Sequence, residues 1–347
     1  MTNISKIDKN FEVKSSVNES GLRFYNVLSS PFRVYGVFYE DGKFRRIPEA
    51  VAKEVSRGVY ALHANTAGGR VRFSTDSARI SIRAKMSGVG KMSHFALCGS
   101  AGFDLYADDE YRASFIPPFD MTDGYESTVN LGEAKSRSIT INFPLYSNVD
   151  ELYIGVDEGS ALQEHPEYRS ELPIVYYGSS ITQGGCASRP GTSYQSFISR
   201  HLNLDFINLG FSGGARAEKA ISEYIQSLPM LAFVYDYDNN APTVEDLTNT
   251  HERMFKEIRQ ANPELPIVMM SMPKFTLSNV EVERYEIIKK TYDNAVSRGD
   301  KNVYLIDGRD LMQYAMNDGT VDNCHPNDIG FFSMAKTIIP VLEEILK

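Results

Sequence analysis

Two adjacent serines follow a short apolar run that has the length of a buried strand. Ile174 to Tyr177 form the run, and the next segment, Gly178 to Gly185, contains Ser179, Ser180 and two closing glycines. In α/β folds the carboxyl ends of parallel strands present catalytic side chains, so a serine here could act as a nucleophile. Serine is also a common helix N-cap, and the segment alone leaves both roles open. A phosphate-binding loop is disfavoured, because neither a Gly-Lys-Ser/Thr ending nor a GxGxxG order is present.

An aspartate and a histidine lie three residues apart near the end of the chain. Asp322 and His325 fall between the apolar run Val303 to Ile306 and a predicted final helix. At this spacing the carboxylate can fix the tautomer of the imidazole and stabilise the imidazolium that forms when a histidine acts as a base. The pattern predicts a base and its orienting partner. The alternative is that Asp322 only shapes a turn beside a surface histidine.

Two further strand ends carry candidate donors for an oxyanion. Asn208 to Ala215 is rich in glycine, and the backbone N–H of a residue such as Gly213 could approach a developing negative charge closely. Asp236 to Pro242 follows the third apolar run and offers the side-chain amides of Asn239 and Asn240. Glycine, asparagine and aspartate are also the common turn formers, so each fragment alone could be a turn. A single site is favoured by the order in which four fragments follow one another along the chain: the serine segment, the glycine-rich segment, the asparagine segment and the segment with Asp322 and His325.

The second half of the chain alternates short apolar runs with amphipathic segments. Runs that are apolar on both faces suit buried parallel strands. The amphipathic segments Val244 to Gln260 and Val280 to Ser297, and a final segment from about Asp328 to Leu346, predict helices. We therefore expect a doubly wound, three-layer α/β/α domain of flavodoxin-like topology. The predicted strands are 174–177, 206–209, 231–235, 267–270 and 303–306.

The first half of the chain has the pattern of an antiparallel sheet protein. Apolar and polar residues alternate in Arg70 to Ser74 and in Arg79 to Ala84, and Asp-Gly and Gly-Gly pairs supply turns between such segments. This pattern predicts a jelly-roll-like β-sandwich over about residues 24–157, after a polar leader from Met1 to Leu22. Its polar continuation, Glu158 to Glu171, is a predicted linker. The expected domains are therefore residues 1–165 and residues 171–347.

The four strand-end fragments together resemble the SGNH, or GDSL-type, hydrolase family. The resembling motifs are Gly-x-Ser-Ile-Thr, Asn-x-Gly-x-Ser-Gly, an asparagine after the third strand and Asp-x-x-His-Pro near the C-terminus. The resemblance implies that Ser180 is the nucleophile, with His325 as its base and Asp322 as the third member of a triad. It also implies that the Ser180 backbone N–H, Gly213 and Asn240 form the oxyanion hole.

Two positions depart from the commonest form of these motifs. Ser179 stands where the first motif usually has aspartate, which leaves the nucleophile in place. The third motif reads Asp-Asn-Asn-Ala, so the family position could be either Asn239 or Asn240. The resemblance favours Asn240, because the asparagine directly before Ala-Pro looks like the family position.

A segment of the first half is similar to a β-rich region that precedes some GDSL-type hydrolases. Gly102 to Tyr106 matches its Gly-x-Asp-Leu-Tyr signature. The resemblance then extends over nearly the whole chain. The simpler interpretation of this segment is structural, with Leu105 buried in a strand and Asp104 in a turn.

Composition excludes several other classes of protein. The chain of 347 residues carries a formal net charge of -9, which disfavours nucleic acid and anionic membrane surfaces as partners. Three widely spaced cysteines, Cys98, Cys186 and Cys324, indicate reduced thiols, and no CxxC or zinc-ligand spacing predicts a metal. We expect no cofactor. Met1 to Asn10 lacks an apolar signal core, which indicates a cytoplasmic protein unless a signal peptide has been removed.

These observations lead to a functional hypothesis. The expected activity is hydrolysis of short-chain carboxylic esters, chiefly acetyl esters of carbohydrates, through an acyl-enzyme on Ser180. The expected partner is a small-molecule or oligosaccharide ester. A lipase, thioesterase or phospholipid acetylhydrolase with the same triad is the first alternative. An inactive glycan-binding protein is the second.

Overall fold

The computed structural model describes residues 7–8, 12–13, 16–18 and 20–347. The polar leader expected for Met1 to Leu22 lies largely outside these residues. In the first half, the strands are β1 Leu22–Asn26, β2 Arg33–Tyr35, β3 Phe38–Glu40, β4 Lys43–Arg45, β5 Arg70–Thr75, β6 Arg79–Lys85, β7 Phe103–Ala107, β8 Glu110–Phe115, β9 Gly124–Asn130, β10 Arg137–Asn142, β11 Glu151–Asp157 and β12 Leu162–Gln163. The helices are α1 Glu49–Val55, α2 Arg57–Leu62 and α3 Leu97–Ser100.

The strands of the first half form two antiparallel sheets that face each other. One sheet has the order β1-β11-β6-β9, and the other has the order β12-β5-β10-β7-β8 with β2 beside β5. Alternate residues of these strands point into a common apolar core, for example Phe73 and Ile141 from one sheet and Ile82 and Ile154 from the other. The alternating pattern thus predicted the β-rich region correctly, and β5 and β6 contain both segments in which it was strongest.

The second half forms a parallel sheet between two layers of helices. Its elements are β13 Ile174–Gly178, α4 Ser180–Gln183, α5 Tyr194–Leu202, β14 Phe206–Gly210, α6 Lys219–Gln226, β15 Ala232–Asp236, α7 Val244–Ala261, β16 Ile267–Met270, α8 Asn279–Ser297, β17 Val303–Ile306, α9 Gly308–Leu311 and α10 Asp328–Ile345. The strand order is β14-β13-β15-β16-β17 with parallel pairing throughout. The fold class is therefore as predicted, and each predicted strand agrees with the structure to within one residue at either end.

The two long helices of this half begin with capping boxes. Thr243 accepts a hydrogen bond from the Asp246 backbone N–H, and the Asp246 carboxylate accepts one from the Thr243 backbone N–H. Ser278 and Glu281 make the same reciprocal pair at the start of α8. These pairs satisfy N–H groups that have no acceptor within the helix, and they set where each helix starts.

Helices α1 and α2 are the main departure from the expected sandwich. Ala52, Val55 and Val59 recur at helical spacing, and the structure buries them in the core on one face of the parallel sheet, together with Ile47. The sandwich predicted over residues 24–157 is therefore interrupted by a helical segment that covers the neighbouring sheet. The two halves share a hydrophobic core as a result. Among the described residues, no helix is long and apolar enough to cross a membrane.

Candidate active site

Ser180 lies at the carboxyl end of β13, an inner strand of the parallel sheet, in the first position of helix α4. Ser179 is the N-cap of this helix, and its hydroxyl accepts a hydrogen bond from the Ile181 backbone N–H at 3.1 Å. The cap is thus supplied by Ser179, which leaves the Ser180 hydroxyl free for other contacts. Only glycine fits at position 178 before the two serines, because a Cβ there would collide with the Asp236 carboxylate.

The structure brings Ser180, His325 and Asp322 into one chain of hydrogen bonds. Ser180 Oγ lies 2.9 Å from His325 Nε2, and His325 Nδ1 lies 2.8 Å from Asp322 Oδ2. With Nδ1 protonated and donating to the carboxylate, Nε2 is free to accept the serine proton. This is the geometry that a general base and its orienting carboxylate require.

The loop around Asp322 explains how one carboxylate both shapes a turn and holds the histidine. Asp322 Oδ1 accepts hydrogen bonds from the backbone N–H groups of Cys324 at 3.1 Å and His325 at 2.8 Å. Partial burial by itself would raise the pKa of Asp322, but the hydrogen bonds from the His325 backbone and ring outweigh it and lower the pKa. The carboxylate therefore stays ionised where it faces the imidazole.

Candidate oxyanion donors lie around the serine with unused hydrogens. Gly213 has a left-handed φ of 65°, and nothing lies within 4 Å of a Cβ built on it. Within residues 20–347 its backbone N–H has no acceptor. Asn240 Nδ2 donates to Phe211 O at 2.9 Å, which leaves the second amide hydrogen available and ties Asn240 to the loop that carries Gly213. Ser180 N–H is in the first turn of α4, where a helix offers no acceptor.

The structure separates the two asparagines that the sequence left as alternatives. Asn239 Nδ2 points to Cys324 Sγ at 3.4 Å, so Asn239 supports the loop that carries the histidine. Asn240 instead contacts the glycine loop. Its position favours Asn240 as the donor.

Tyr146 and His94, from the first half of the chain, also reach the site, and no motif in the sequence identified them. The Tyr146 hydroxyl donates to Ser180 O at 3.1 Å, and burial raises the pKa of Tyr146 so that the hydroxyl keeps its proton. The His94 ring centroid lies 5.8 Å from that of His325, and His94 Nε2 lies 4.0 Å from Asp322 Oδ2. The β-rich half therefore forms part of the cleft in which Ser180 lies.

Two buried side chains hold the glycine loop against the first half. Gln183, in α4, accepts from the Ser212 N–H at 3.0 Å and donates to Asn65 Oδ1 at 3.2 Å. Arg46, from β4's carboxyl end, donates to Gly210 O at 2.5 Å and stacks 4.7 Å from the Phe211 ring. Desolvation lowers the pKa of Arg46 to about 9. Gln183 follows the serine motif directly in the sequence, whereas nothing near Arg46 signalled its role.

Gly102 to Tyr106 docks the two halves and does not enter the cleft beside Ser180. Asp104 lies within β7, so the turn suggested for it is wrong, and its carboxylate is fully buried. It accepts from Arg189 Nη1 at 2.9 Å and from the Gly191 backbone N–H at 2.8 Å. The Tyr106 hydroxyl donates to Gly191 O at 3.2 Å. The motif thus binds the loop that follows the serine helix.

Three potential metal ligands lie close together at the site. The ligand atoms of His94, Cys186 and His325 are all within 4.8 Å of one another. Burial raises the pKa of the Cys186 thiol to about 12, which opposes formation of the thiolate that a metal requires. Both ring nitrogens of His325 already have hydrogen-bond partners. This donor set fits a hydrogen-bonded hydrolase site better than a metal centre.

The parallel sheet carries a hydrogen-bonded serine, histidine and aspartate at its carboxyl edge. This arrangement is expected of a serine-type ester hydrolase. Residues 171–343 match the family model described as the GDSL-like lipase/acylhydrolase family. Residues 22–162 match the model of the N-terminus of SGNH-hydrolase-type esterases, named for its Gly-x-Asp-Leu-Tyr motif. The chain belongs to this family of GDSL-like, SGNH-type enzymes and is a carboxylic ester hydrolase.

Solved structures share both halves of the chain. A GDSL-like lipase from Bacteroides ovatus ATCC 8483 is 27% identical, with a TM-score of 0.83, covering 94% of this chain and 98% of that one. The salicylyl-acyltransferase SsfX3 from a tetracycline biosynthetic pathway is 20% identical, with a TM-score of 0.77 and coverages of 94% and 99%. An acetyl xylan esterase from the rumen bacterium Butyrivibrio proteoclasticus is 14% identical, with a TM-score of 0.59 and coverages of 94% and 98%. No curated protein sequence matches the chain.

Proposed function

We propose that this esterase removes short acyl groups, chiefly acetyl, from carbohydrates, with Ser180 as nucleophile, His325 as base and Asp322 as the orienting carboxylate. The single observation that carries the catalytic part is the hydrogen-bond chain from Ser180 Oγ to His325 Nε2, at 2.9 Å, and on to Asp322. Each link has the length and the atom type that the roles require.

In the first half-reaction, His325 Nε2 takes the proton from Ser180 Oγ as the oxygen adds to the ester carbonyl. Asp322 stabilises the imidazolium that results. The carbonyl oxygen becomes an oxyanion and accepts hydrogen bonds from the backbone N–H groups of Ser180 and Gly213 and from the Asn240 amide. His325 then returns its proton to the departing sugar oxygen, which leaves as an alcohol and breaks the ester bond.

In the second half-reaction, water attacks the acyl group on Ser180. His325 accepts a proton from the water, and the same donors hold the second oxyanion. Collapse of this intermediate releases the carboxylic acid and returns the proton to Ser180 Oγ. The site is then ready for another substrate.

The sugar part of the proposal is supported by the polarity of the cleft. The groups beside the serine, His94, Asn239 and Asp322, are hydrogen-bonding side chains and offer partners to sugar hydroxyls. An acetyl xylan esterase also shares the architecture over both halves. An alkyl chain would not use the remaining hydrogen-bonding capacity of these groups, which opposes a lipase activity.

The nucleophile is tested by turnover of p-nitrophenyl acetate. Ser180→Ala should reduce kcat by about 10⁴-fold or more, because the covalent step is lost. Ser179→Ala is the matched control, since it removes the neighbouring hydroxyl and only the cap bond to Ile181. Equal rates for wild type and Ser180→Ala would refute the assignment. Absence of turnover by both would favour a binding protein.

The substrate class is tested by comparing an acetylated oligosaccharide with a long-chain p-nitrophenyl ester. We expect the larger kcat/KM for the oligosaccharide, with free acetate as the product. A much faster reaction with the long chain would overturn the carbohydrate proposal and support a lipase. Acetate transferred to an added alcohol instead of to water would indicate an acyltransferase, the activity named for one of the similar structures.

A further inference from the structure

A narrow crevice between the two halves is lined by several arginines and lies outside the cleft that contains Ser180. Strand β5 of the first half contributes Arg70 and Arg72, and the last turn of α5 in the second half contributes Arg200. The centre of a water molecule could move within a volume of about 20 Å³ in this crevice. This is enough for an ordered water or a small ion.

Arg72 is buried in this crevice with hydrogen-bond donors that have no acceptor. It is 4% exposed, and in the described part of the chain neither Nε nor Nη1 has a partner. Nη2 donates to His165 Nε2 at 3.4 Å, and the guanidinium stacks 3.8 Å from the Tyr168 ring. Leaving the buried N–H donors of a charged group without acceptors costs free energy, so an acceptor is expected for each of them.

Arg200 approaches the crevice from the other half and is half-buried. Its guanidinium lies 4.1 Å from the Tyr106 ring centroid, yet no hydrogen bond to it is found over residues 20–347. Burial lowers the pKa of Arg200. By contrast, Arg70 is ion-paired with Asp205 and hydrogen-bonded to Tyr168 at 3.1 Å. Arg72 and Arg200 are therefore the two guanidinium groups left without an anionic acceptor.

The charges around the crevice do not balance. Arg70, Arg72 and Arg200 face three carboxylates, of which Asp205 is ion-paired with Arg70 and Asp104 with Arg189. Asp109 is exposed at the rim and interacts electrostatically with the other two arginines. One positive charge is left over in a place that is partly closed to solvent. A bound anion would neutralise it and accept the unused hydrogen bonds.

We propose that this crevice binds one small inorganic anion, of the size range from a halide to a phosphate, between Arg72 and Arg200. Because Arg72 belongs to the β-rich half and Arg200 to the hydrolase half, the anion links the halves by hydrogen bonds to both. Its binding to the folded chain stabilises that chain by mass action. The proposal is independent of the substrate of the esterase.

Thermal unfolding with added sodium bromide, sulfate or phosphate tests the proposal. The protein is first exchanged into gluconate, an anion too large for the crevice. At least one probe should raise Tm along a saturating curve, by about 4 °C near 100 times its Kd. Arg200→Gln should abolish most of this shift, and Asp109→Asn, which removes the competing carboxylate, should shift saturation to lower concentration.

Arg57→Gln is the matched control, because Arg57 is an exposed arginine in α2 that does not line the crevice. It should keep the full shift. A rise in Tm that is linear in salt, and equal in wild type, Arg200→Gln and Arg57→Gln, would overturn the proposal, since exclusion of salt from the surface acts on all of them alike.

Anomalous diffraction from bromide-soaked crystals gives a second test that needs no Arg72 variant. A bromide peak within hydrogen-bond distance of Arg72 and Arg200 supports the proposal. If sulfate or phosphate was the stabilising probe, its density at the same place does so equally. Density for water alone, at an anion concentration that saturates the Tm shift, would contradict it.

Discussion

The Ser180 hydroxyl needs a base to take its proton before it can attack an ester, and the proposed base, His325, lies 145 residues away along the chain. His325 in turn depends on a carboxylate only three residues before it, in a loop that Asp322 itself folds through two backbone hydrogen bonds. The chemistry of the site therefore depends on a few contacts between individual side chains. Each contact can be removed singly.

Asp322→Asn tests the orienting carboxylate. The amide is close in shape but carries no charge, so it stabilises the imidazolium poorly and can hold the wrong tautomer of His325. We expect kcat for p-nitrophenyl acetate to fall by about 10³- to 10⁴-fold with little change in KM. Asp318→Asn, at an exposed position of the same loop region, should leave kcat unchanged. A comparable loss in both variants would point to disruption of the loop and not to loss of the charge.

The two asparagines are distinguished by single substitutions. Asn240→Ala removes a proposed oxyanion donor and should lower kcat by about 10²- to 10³-fold. Asn239→Ala removes the contact with Cys324 and should lower it by less than about 10-fold. Steady-state kinetics on both variants decides between them. The reverse order of effects would transfer the donor role to Asn239.

His251 makes stability depend on pH. It is buried in α7, beside Thr291 at 2.9 Å, and burial lowers its pKa to about 3. The unfolded chain binds this proton near pH 6.5, so the free energy of unfolding should fall as pH drops from about 6.5 towards 3, by at most about 1.4 kcal/mol per pH unit. His251→Gln should flatten this slope in urea unfolding, whereas His201→Gln, at an exposed site, should not. Equal slopes in all three proteins would contradict the assignment.

At the scale of elements, the loop between α4 and α5 connects the parts of the site. It begins directly after the serine helix and is bound to β7 through Asp104. Its Ser188 N–H and Thr192 hydroxyl donate to Asp328 Oδ1, at 2.8 Å and 2.7 Å, at the start of α10. His325 lies just before that helix. The β-rich half thus holds a loop that spans from the proposed nucleophile to the helix that follows the proposed base.

The ion pair between Asp104 and Arg189 is the test of this connection. Arg189→Met leaves a fully buried carboxylate without its partner and should lower the free energy of unfolding by about 3 to 5 kcal/mol. Adding Asp104→Asn should recover part of that loss, because the uncompensated charge is gone. Urea unfolding of the two single variants and the double variant measures the coupling. Strictly additive losses would mean that the pair has no special role.

At the scale of the whole molecule, the two halves depend on each other. Ile47 and Val59 pack into the core of the parallel sheet, and Arg46 donates hydrogen bonds to the carbonyls of Asn208 and Gly210 at the end of β14. The Tyr146 hydroxyl donates to the backbone carbonyl of Ser180. Removing the first half would expose apolar surface and unpaired carbonyls at the same time.

A fragment of residues 171–347 should therefore fail to fold as an active enzyme. We expect insoluble protein, or soluble protein without cooperative thermal unfolding and without turnover of p-nitrophenyl acetate. Circular dichroism melts and activity assays on the fragment and the full chain provide the comparison. A monomeric fragment with the kcat of the full chain would show that the first half is only an appendage.

Much of the local structure follows from the sequence alone. Runs such as Ile267 to Met270 are apolar on both faces and must be buried strands, and the alternation in Arg79 to Ala84 must put one face inward. These patterns depend only on neighbours along the chain, which is why the predicted strands agree with the structure. The four strand-end fragments were predictable for the same reason, since parallel strands bring their carboxyl ends to one edge.

Tertiary structure decided which distant groups meet. Nothing in the sequence around Tyr146 or His94 marks them as neighbours of Ser180, because that contact depends on how the sandwich docks on the sheet. Helices α1 and α2 were missed because their burial comes from the other half of the chain. The sequence favoured Asn240 over Asn239, but the different contacts of the two adjacent amides came only from the fold. The spacing of apolar residues indicates which faces are buried. Which distant residues come into contact is decided only when the layers of the fold pack together.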